Sequence, residues 1–444
     1  MPNPSPEDVL ARVYEHPGAV WLEDGGPGWS ILAFSPVELA VGASDWADVG
    51  RRLVRKRAAP GPFSGGCIGY LGYGAGHRVE RVPAQSATPE PESWLARYEG
   101  ALCYRRADGA WSIEGTSSFR RKAQRLLERA AVLPPPCAAH PPQSVRSMAQ
   151  EVWEARVARI LELVAAGDCY QVNLTRAVHL EGIGDGWSAW RRLRHMAPSR
   201  HGGWLTITPG LAILSSSPEL LLEADGHAVA SVPIKGTRPR HADPVVDRAL
   251  AGELRQSEKE RAELTMIVDL VRNDLGRVAQ AGTVRWDERR ITPHPNVHHA
   301  EQRVTAELRP DEDVFSALAA VFPPGSVTGA PKVRATERIA ELEDEPRGVY
   351  CGAMGFVADN GRASFNVAIR TAVWSATGGG TMRYHVGAGI VADSDPTAEW
   401  WETVHKGSAM ARAFAGTAHP EIASPEAFSA AEPRRTALGR RSSW

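Results

Sequence analysis

The sequence has few cysteines and no excess of charge of either sign. Five cysteines are scattered over 444 residues, and none forms a Cys-x-x-Cys pair. Such a sparse, odd-numbered set is typical of free thiols rather than of a disulfide framework or a zinc site. Lys and Arg number 51 and Asp and Glu number 52, so the formal net charge is −1. Because there is no net positive field, the composition predicts no binding to nucleic acid or to an anionic membrane surface.

The sequence also lacks a long hydrophobic run and an apolar leader. No stretch reaches the roughly 20 apolar residues of a membrane span. The start, MPNPSPEDVL, has neither the basic segment nor the apolar core of a signal peptide. Together with the unpaired cysteines, these absences predict a cytoplasmic protein that does not enter a membrane. The hydrophobic share of 43% and the charged share of 23% are those of a globular protein.

A proline-rich stretch predicts the main boundary along the chain. Residues 131–146, AVLPPPCAAHPPQSVR, lack either hydrophobic period, which is typical of a linker. This divides the chain into an N-terminal region over 1–130, the linker over 131–146 and a C-terminal domain over 147–417. The remaining residues, 418–444, are rich in Ala, Ser, Pro and Arg and are predicted to be a disordered tail.

Three segments carry helix signals. One helix follows the apolar spacing that starts at Trp153 and ends before Gly167. A second begins at Ser257, with Glu260 three residues later as a capping box, and ends at Gly276. The last runs from Asp395 and Pro396 to about residue 414.

Short apolar runs between these helices predict strands. They include GWLTITP, LAILSSS, ELLLEAD, HAVASVPI, GVYCGAMGFVA, ASFNVAIRTAV and TMRYHVGAGIVA. Strands mixed with helices, without strict βαβ alternation, favour an α+β architecture over a doubly wound parallel sheet.

Carboxylates on two of the predicted helices are candidates for a metal site. Glu399 and Glu402 are three residues apart and share a helix face, and Glu263 lies beside the apolar stripe of the second helix. Mg²⁺ takes oxygen ligands and keeps waters and substrate oxygens in its shell. Taken alone, such glutamates are more often a solvated helix face. Their sequence context decides between the two interpretations.

Six segments together resemble the chorismate-utilising enzymes, the family that includes anthranilate, aminodeoxychorismate, isochorismate and salicylate synthases. The segments are GDCYQVNLTR (167–176), SSPELLLEADGHAVASVPIKGTRPR (216–240), EKERAELTMIVDLVRNDLGRV (258–278), FPPGSVTGAPKVRATERI (322–339), RGVYCGAMGFVADNGRASFNVAIRTAV (347–373) and GAGIVADSDPTAEWWETVHK (387–406). Upstream, GGCIGYLGYG (65–74) resembles a strand of the family's N-terminal half. The resemblance makes 1–130 an anthranilate synthase component I-like region and 147–417 a chorismate-binding catalytic domain. It implies a sandwich of two packed sheets flanked by outer helices.

The resemblance also implies how chorismate is held. Mg²⁺ would bind the ring carboxylate, and an arginine would take the enolpyruvyl carboxylate with two parallel hydrogen bonds. Glycines would let the backbone approach the substrate closely. The implied metal ligands are Glu263, Glu399 and Glu402, and the implied substrate-binding residues are Tyr350, Arg370, Gly329, Gly389 and Lys406.

Two positions distinguish members of the family. By this resemblance, Gln171 stands where the water-adding members of the family have a lysine that activates water. Members that use ammonia have glutamine there, because ammonia needs orientation more than deprotonation. Lys235, in PIKGT, stands where anthranilate synthases have alanine and aminodeoxychorismate synthases have lysine. The resemblance implies that the Lys235 amine attacks C2 of the ring and that ammonia then enters at C4. The resulting expectation is Mg²⁺-dependent amination of chorismate at C4, for the formation of p-aminobenzoate.

Further catalytic roles are implied for three residues. Glu219, in SSPEL, matches the general acid for the departing hydroxyl, which requires a raised pKa. Thr237 is a substrate-side hydroxyl, and His299 aligns with a histidine near the ring. The family usually has HHLVS where this chain has HHAEQ, so the role of His299 stays open between catalysis and a satisfied structural histidine.

The source of ammonia is predicted to be a separate class I glutamine amidotransferase subunit, with free ammonia as the alternative. GGCIG around Cys67 matches a glutaminase elbow in letters only, because no paired His and Glu or full extra domain accompanies it. Two other functions remain open: anthranilate synthase component I or a 2-amino-2-deoxyisochorismate synthase, and a non-catalytic chorismate-binding regulatory subunit.

Overall fold

The computed structural model describes residues 4–25, 28–55, 57 and 61–416. Those ranges contain ten α-helices and 23 β-strands. The helices are α1 (Pro6–Leu10), α2 (Trp46–Leu53), α3 (Ser117–Glu128), α4 (Gln150–Ala165), α5 (Gly186–Met196), α6 (Pro244–Gln256), α7 (Glu258–Gly276), α8 (Val314–Val321), α9 (Lys332–Leu342) and α10 (Pro396–Ala415). No helix in these ranges combines the length and the apolar character needed to cross a membrane.

The strands alternate with the helices without a fixed order. They are β1 (Val20–Asp24), β2 (Trp29–Ala33), β3 (Glu38–Val41), β4 (Gly66–Leu71), β5 (Ser93–Tyr98), β6 (Gly100–Arg105), β7 (Ala110–Gly115), β8 (Ser144–Ser147), β9 (Gln171–Glu181), β10 (Gly203–Thr208), β11 (Leu211–Ser215), β12 (Leu220–Asp225), β13 (Ala228–Val232), β14 (Ile234–Pro239), β15 (Arg285–Trp286), β16 (Arg290–Pro293), β17 (Val297–Glu301), β18 (Val304–Glu307), β19 (Gly329–Ala330), β20 (Ala353–Ala358), β21 (Arg362–Val367), β22 (Thr371–Ser375) and β23 (Thr381–Ile390).

The strands form two large sheets and one small sheet. The first large sheet has the order β19-β9-β23-β22-β11-β10-β1-β2-β6-β7, with β8 also paired to β9. The second has the order β15-β18-β13-β12-β21-β20-β4-β5-β3, and the small sheet has the order β14-β17-β16. The registered pairs are antiparallel, for example β9 with β23 and β12 with β21.

The two large sheets pack face to face. Ile31, Leu205 and Ile213 of the first sheet and Tyr70 and Phe356 of the second belong to one buried cluster between them. A second cluster packs α1, α3, α5 and α10 on the outer face of the first sheet, and a third packs α2, α7 and α8 on the outer face of the second. Each fully buried large apolar side chain contributes about 1.5–3 kcal/mol. The predicted α+β sandwich with outer helices is therefore confirmed.

The proposed boundary at 131–146 lies between segments that share both sheets. Strands β1, β2, β6 and β7 from before it join β9, β10 and β23 from after it, and β4 and β5 join β20 in the other sheet. Two hydrogen bonds attach the stretch to the rest of the fold. The Leu133 backbone N–H donates to Asp8 at 2.8 Å, and the Pro134 carbonyl accepts from Arg191 at 2.6 Å. Its last residues begin β8 at Ser144. The division into domains stays a prediction, and the predicted tail at 418–444 lies outside the described residues.

The predicted helix starts agree with the structure except in one detail. Asp395 caps α10 by accepting from the Ala398 N–H, with Pro396 in the first turn. Ser257 caps α7 by accepting from the Glu260 N–H at 3.3 Å. The reciprocal half of the predicted capping box is wrong, because the Ser257 N–H donates to Glu253 of the preceding helix. The Glu260 carboxylate accepts instead from Arg238 at 3.1 Å.

Two of the runs predicted as continuous strands contain a turn. The run ASFNVAIRTAV divides into β21 in the second sheet and β22 in the first, and Arg370 has a φ of +48° at the crossing. The run GVYCGAMGFVA begins its strand only at Ala353, because Tyr350 and Cys351 form a turn in which Cys351 has a φ of +64°. Glu219 lies at a similar crossing from β11 to β12. Arg370 and Glu219 therefore lie where the chain passes from one large sheet to the other.

Candidate active site

Three strands bring Lys235, Gln171 and Gly389 together. They belong to β14, β9 and β23, respectively. A β-carbon built on Gly389 would stand 3.3 Å from Lys235 Nζ and 2.9 Å from Gln171 Nε2. Gln171 is fully buried, and neither polar atom of its amide has a hydrogen-bond partner in the described ranges. A buried amide without partners favours a polar ligand at this point, because leaving it unsatisfied costs about 1–3 kcal/mol.

The amine of Lys235 is surrounded by charged groups. Lys235 is partly buried, and burial lowers its pKa from the usual value, because the ammonium form loses solvation. Among the charged groups, Glu263 raises this pKa most, whereas Lys406 lowers it further. Glu219 and Glu402 also raise this pKa. A lowered pKa increases the share of neutral amine, the form that acts as a nucleophile.

Glu219 is a buried carboxyl group with an altered pKa. Its side chain is 4% exposed, and burial raises its pKa to about 7. The Ser326 hydroxyl, Lys235 and the backbone N–H of Ile234 oppose this rise. A carboxyl group with such a pKa keeps its proton in part near neutral pH, so it can act as a general acid.

Helices α7 and α10 contribute the three predicted metal ligands. Burial raises the pKa values of Glu263 and Glu399, and Glu402 raises both further. The Glu399 Oε1 atom accepts from Ser394 at 2.7 Å, while its buried Oε2 has no partner in the described ranges. Burial raises the pKa of Glu402, but its ion pair with Lys406 at 2.6 Å outweighs this, and the pKa is lowered overall.

The donor set fits Mg²⁺ in chemistry, although it is not a preformed cage. Within the described residues, no group of three or more His, Cys, Asp or Glu side chains lies close enough together to hold a metal ion. Mg²⁺ is usually bound through one or two carboxylates together with waters and substrate oxygens, so a full protein cage is not required. A cation bound here would give the Oε2 atom of Glu399 a partner. It would also favour the charged form of Glu263, whose pKa is raised in its absence.

Arg370 lies at the crossing from β21 to β22, and Tyr350 lies in the turn before β20. The Arg370 guanidinium forms no hydrogen bond or ion pair with the described residues, and burial lowers its pKa. Tyr350 is 8% exposed, and its ring stacks on His385 with centroids 5.4 Å apart and planes at 13°. An arginine with free donors at a buried turn is suited to bind a carboxylate.

His299 is neutral and is joined to Thr237. The two face each other across β14 and β17, and Thr237 Oγ1 lies 3.0 Å from His299 Nδ1. Burial lowers the His299 pKa to about 3, with further effects from Arg370 and His294. Its Nε2 has no partner in the described part of the chain. Glu301, which raised doubt about this histidine, bonds to Thr292 instead.

Gly329 and Lys406 complete the predicted set. Gly329 pairs with Val172 and has a φ of +134°, a conformation that side chains rarely adopt. A β-carbon there would stand 2.1 Å from the Gln171 carbonyl oxygen. Lys406 donates at 3.2 Å to the carbonyl of Gly387, which lies two residues before Gly389 in β23.

Sequence reasoning missed several residues of this region. Ser326 donates to Glu219, Ser394 donates to Glu399, and His385 stacks on Tyr350. Arg347 binds the backbone carbonyls of Val327 and Asn173. Ser326, Ser394 and Arg347 lie inside the segments that carried the resemblance, and their small or buried character gave no separate signal.

Cys67 is a structural residue of β4. Its side chain is 2% exposed, and burial raises the pKa of its thiol to about 12. A thiol that stays protonated at neutral pH is a poor nucleophile. The geometry therefore disfavours a glutaminase centre at this position.

Comparison with known proteins identifies the family of this chain. The model of the chorismate binding enzymes matches residues 20–412. The chain belongs to the chorismate binding enzyme family. This chorismate binding enzyme is 37% identical over 420 residues to anthranilate synthase component 1 of Streptomyces coelicolor. The match covers 88% of this chain and 82% of that one. It is also 37% identical over 348 residues to aminodeoxychorismate synthase component 1 of Escherichia coli, covering 78% and 76%.

A solved structure shares the fold of this chorismate binding enzyme. Anthranilate synthase component I from Streptococcus pneumoniae superimposes with a TM-score of 0.77 at 28% identity, covering 88% of this chain and 94% of that one. Since relatives with two different activities are equally similar in sequence, overall similarity does not choose between them. The choice depends on individual residues of the site.

Proposed function

We propose that this chain is the chorismate-aminating subunit of an aminodeoxychorismate synthase, which forms 4-amino-4-deoxychorismate. The observation that carries the proposal is the position of Lys235. Its amine lies against the bare backbone of Gly389, which the unpartnered amide of Gln171 also approaches. An alanine at this position has no nucleophile, so the lysine is the group that separates amination at C4 from amination at C2.

The proposed chemistry has two displacement steps. The Lys235 amine bonds to C2, the ring double bonds shift, and the C4–O bond breaks as Glu219 gives its proton to the departing hydroxyl, which leaves as water. Ammonia, oriented by the Gln171 amide, then bonds to C4, and the double bonds shift back as the C2–N bond to the lysine breaks. Burial supports both roles, since it lowers the pKa of the amine and raises the pKa of the acid.

Charged groups at two ends of the pocket suit the two carboxylates of chorismate. Arg370 would offer its guanidinium donors to the enolpyruvyl carboxylate, and Tyr350, which stacks on His385, is proposed to bind the same group. At the other end Glu263, Glu399 and Glu402 would hold Mg²⁺, which neutralises the charge of the ring carboxylate when bound. Lys406 and the backbone at Gly329 and Gly389 line the space between.

The proposed source of ammonia is a class I glutamine amidotransferase on a separate chain. Two relatives carry the designation component 1, which indicates that each of them works with another component. The buried thiol of Cys67 does not provide a glutaminase nucleophile in this chain. Free ammonium is the alternative nitrogen source, and it gives a direct assay of the isolated subunit.

Anthranilate synthase component I is the second candidate. The 37% identity to the Streptomyces coelicolor protein supports it as much as it supports the first. A 2-amino-2-deoxyisochorismate synthase belongs to the same alternative, because both reactions place nitrogen at C2. Neither reaction requires an amine where Lys235 stands.

Product analysis tests the proposal. The purified chain is incubated with Mg²⁺, chorismate and ammonium, and the product is then treated with aminodeoxychorismate lyase. Release of p-aminobenzoate is the expected result. Anthranilate or 2-amino-2-deoxyisochorismate as the sole product contradicts C4 amination. An absence of chorismate turnover, with or without an amidotransferase, favours the non-catalytic regulatory subunit.

A further inference from the structure

A fully buried ion pair lies next to the predicted site. Arg347 is 1% exposed and binds both carboxylate oxygens of Glu343, at 2.9 Å and 2.7 Å. Its guanidinium lies over the ring of Tyr73 at 4.6 Å. Burial opposes the charge, yet Glu343, Cys351 and Tyr73 together raise the Arg347 pKa well above the usual value. Arg347 is therefore a permanent cation within the sandwich.

The same guanidinium binds two segments that carry predicted site residues. One nitrogen donates to the Val327 carbonyl at 2.8 Å and another to the Asn173 carbonyl at 2.6 Å. Val327 follows Ser326, the hydrogen-bond donor to Glu219, and Asn173 lies two residues beyond Gln171 in β9. The two segments also contact each other, since the Asn173 N–H donates to Thr328 at 2.9 Å.

A third segment is attached through the backbone of Arg347. Its carbonyl accepts from the Tyr350 N–H at 3.1 Å, in the turn that precedes β20. Its own N–H donates to Gln85 in the N-terminal region at 3.0 Å. Glu343, the ionic partner, accepts in addition from the Thr175 N–H in β9 at 2.8 Å.

We infer that Arg347 is a positioning residue of the site, which fixes the spacing between the strand of Gln171, the loop of Ser326 and the turn of Tyr350. It touches none of the predicted reacting atoms and acts through these backbone segments. The inference rests on the proposed function only in taking these three segments to face chorismate. It does not depend on whether nitrogen enters at C4 or C2.

Only arginine has the donors for this arrangement. A guanidinium has five N–H donors in one plane, and here they are shared between one carboxylate and two carbonyls. A lysine at this position keeps the charge opposite Glu343, but its single nitrogen does not reach the Val327 and Asn173 carbonyls in the same geometry. The Arg347→Lys variant therefore separates the spacing of the segments from the presence of a cation.

A matched control exists in the second sheet. Arg97 is 3% exposed and is likewise paired with a buried carboxylate, Asp359, and a carbonyl, that of Leu53. None of the predicted site residues contacts Arg97 in the described part of the chain. Arg97→Lys and Arg347→Lys thus make the same chemical change in a buried ion pair, one far from the site and one beside it.

Kinetics of chorismate consumption, whatever the product, test the inference. We expect the two lysine variants to lose thermal stability to a similar extent. Arg347→Lys alone is expected to lower kcat by about a hundredfold, the effect of misplacing reacting groups by about 1 Å. KM should change less, because Arg370 still binds the substrate. Equal kcat values for the two variants at matched temperature overturn the inference.

Hydrogen exchange provides a second measurement that needs no turnover. The amides of Asn173 and Tyr350 should exchange faster in Arg347→Lys than in wild type or Arg97→Lys, at conditions of equal global stability. Unchanged protection of both amides contradicts the inference, even if the chain proves to have another substrate. If Arg347→Lys does not fold, the Glu343→Gln variant tests the inference in the same kinetic and hydrogen-exchange assays. It keeps the guanidinium, removes its charged partner and should lower kcat by about tenfold.

Discussion

Lys235 lies against Gly389, with Nζ 3.3 Å from the point that a β-carbon on the glycine would occupy. The amine is therefore directed toward β23, and the side chain is only partly exposed. Two strands that are remote in sequence meet at this point, β14 of the small sheet and β23 of the first large sheet. This contact gives the lysine its proposed role, because a nucleophile has to reach the ring of a substrate held against the backbone of β23.

Replacing Lys235 with alanine tests that role. We expect the rate of C4 amination to fall on the order of a thousandfold or more, since removing a covalent nucleophile removes the step it performs. Any remaining turnover should place nitrogen at C2. Chromatography of the products from chorismate and ammonium measures both outcomes. Lys122→Ala on exposed α3 is the control, and an unchanged yield of 4-amino-4-deoxychorismate in Lys235→Ala would refute covalent catalysis.

Glu219 should make the free energy of unfolding depend on pH. Its pKa is raised from 4.5 to about 7 in the folded protein. Below pH 4.5 the carboxyl is neutral in both states, whereas between pH 4.5 and about 7 only the unfolded state releases its proton, so stability falls as the pH rises. Glu219→Gln lacks this loss, and its stability relative to wild type should increase by up to about 3 kcal/mol over that interval. Urea unfolding at pH 4.5 and pH 8 measures the difference, and parallel behaviour of the two proteins speaks against a buried titrating acid.

Two glycines near Gln171 should respond differently to alanine. Gly329→Ala places a β-carbon 2.1 Å from a backbone oxygen at a φ of +134°, so we expect a loss of stability of about 2 kcal/mol or more. Gly389→Ala meets only the flexible ends of Gln171 and Lys235, so activity should fall while stability changes little. Thermal unfolding and chorismate consumption separate the two effects.

Gly252 is the control for both substitutions. It lies within α6 with nothing within 4 Å of a β-carbon, and alanine there should stabilise the helix by about 0.5–1 kcal/mol. If Gly389→Ala destabilised the protein as much as Gly329→Ala does, the backbone at Gly389 would be as crowded as that at Gly329, contrary to its contacts with side-chain ends alone.

Removal of divalent metal should abolish turnover, and Mg²⁺ should restore it. Glu263→Gln and Glu399→Gln are each expected to weaken Mg²⁺ binding by about tenfold or more, because each removes a charged oxygen donor. Mn²⁺ binding, followed by electron paramagnetic resonance without substrate, measures this independently of activity. Glu258→Gln, on the exposed start of α7, should leave the affinity unchanged. Full activity in the presence of a chelator would exclude the metal.

The sequence predicted the layers of the fold better than its turns. Apolar runs such as GWLTITP and HAVASVPI became β10 and β13, and the capping residues Ser257 and Asp395 start α7 and α10. Hydrophobic pattern and caps are local properties, so they are visible in a single sequence. The crossing between sheets at Arg370 was not predicted, because β-strand composition continues through it and only the positive φ marks the turn.

The site shows the same difference between local and distant information. Resemblance named Lys235, Gln171 and Gly389, and these three meet in the structure. The ion pair of Glu402 with Lys406 is local, since the two are four residues apart on α10. Nothing in the sequence indicated that Ser326 donates to Glu219, because that contact joins segments that approach one another only after folding. The same holds for Arg347, whose partners lie in β9 and in the loop before β19.

The pairing of β9 with β23, in which Asn173 stands opposite Gly389, has a consequence for synthesis of the protein on the ribosome. One neighbour of β9 in the sheet, β23, is translated long after β9, and α10, with two of the proposed metal ligands, follows β23. Chorismate therefore has no complete pocket to enter while the nascent chain is still being extended. Contacts between such distant segments also form slowly, so we expect refolding from denaturant to restore catalysis in one late step.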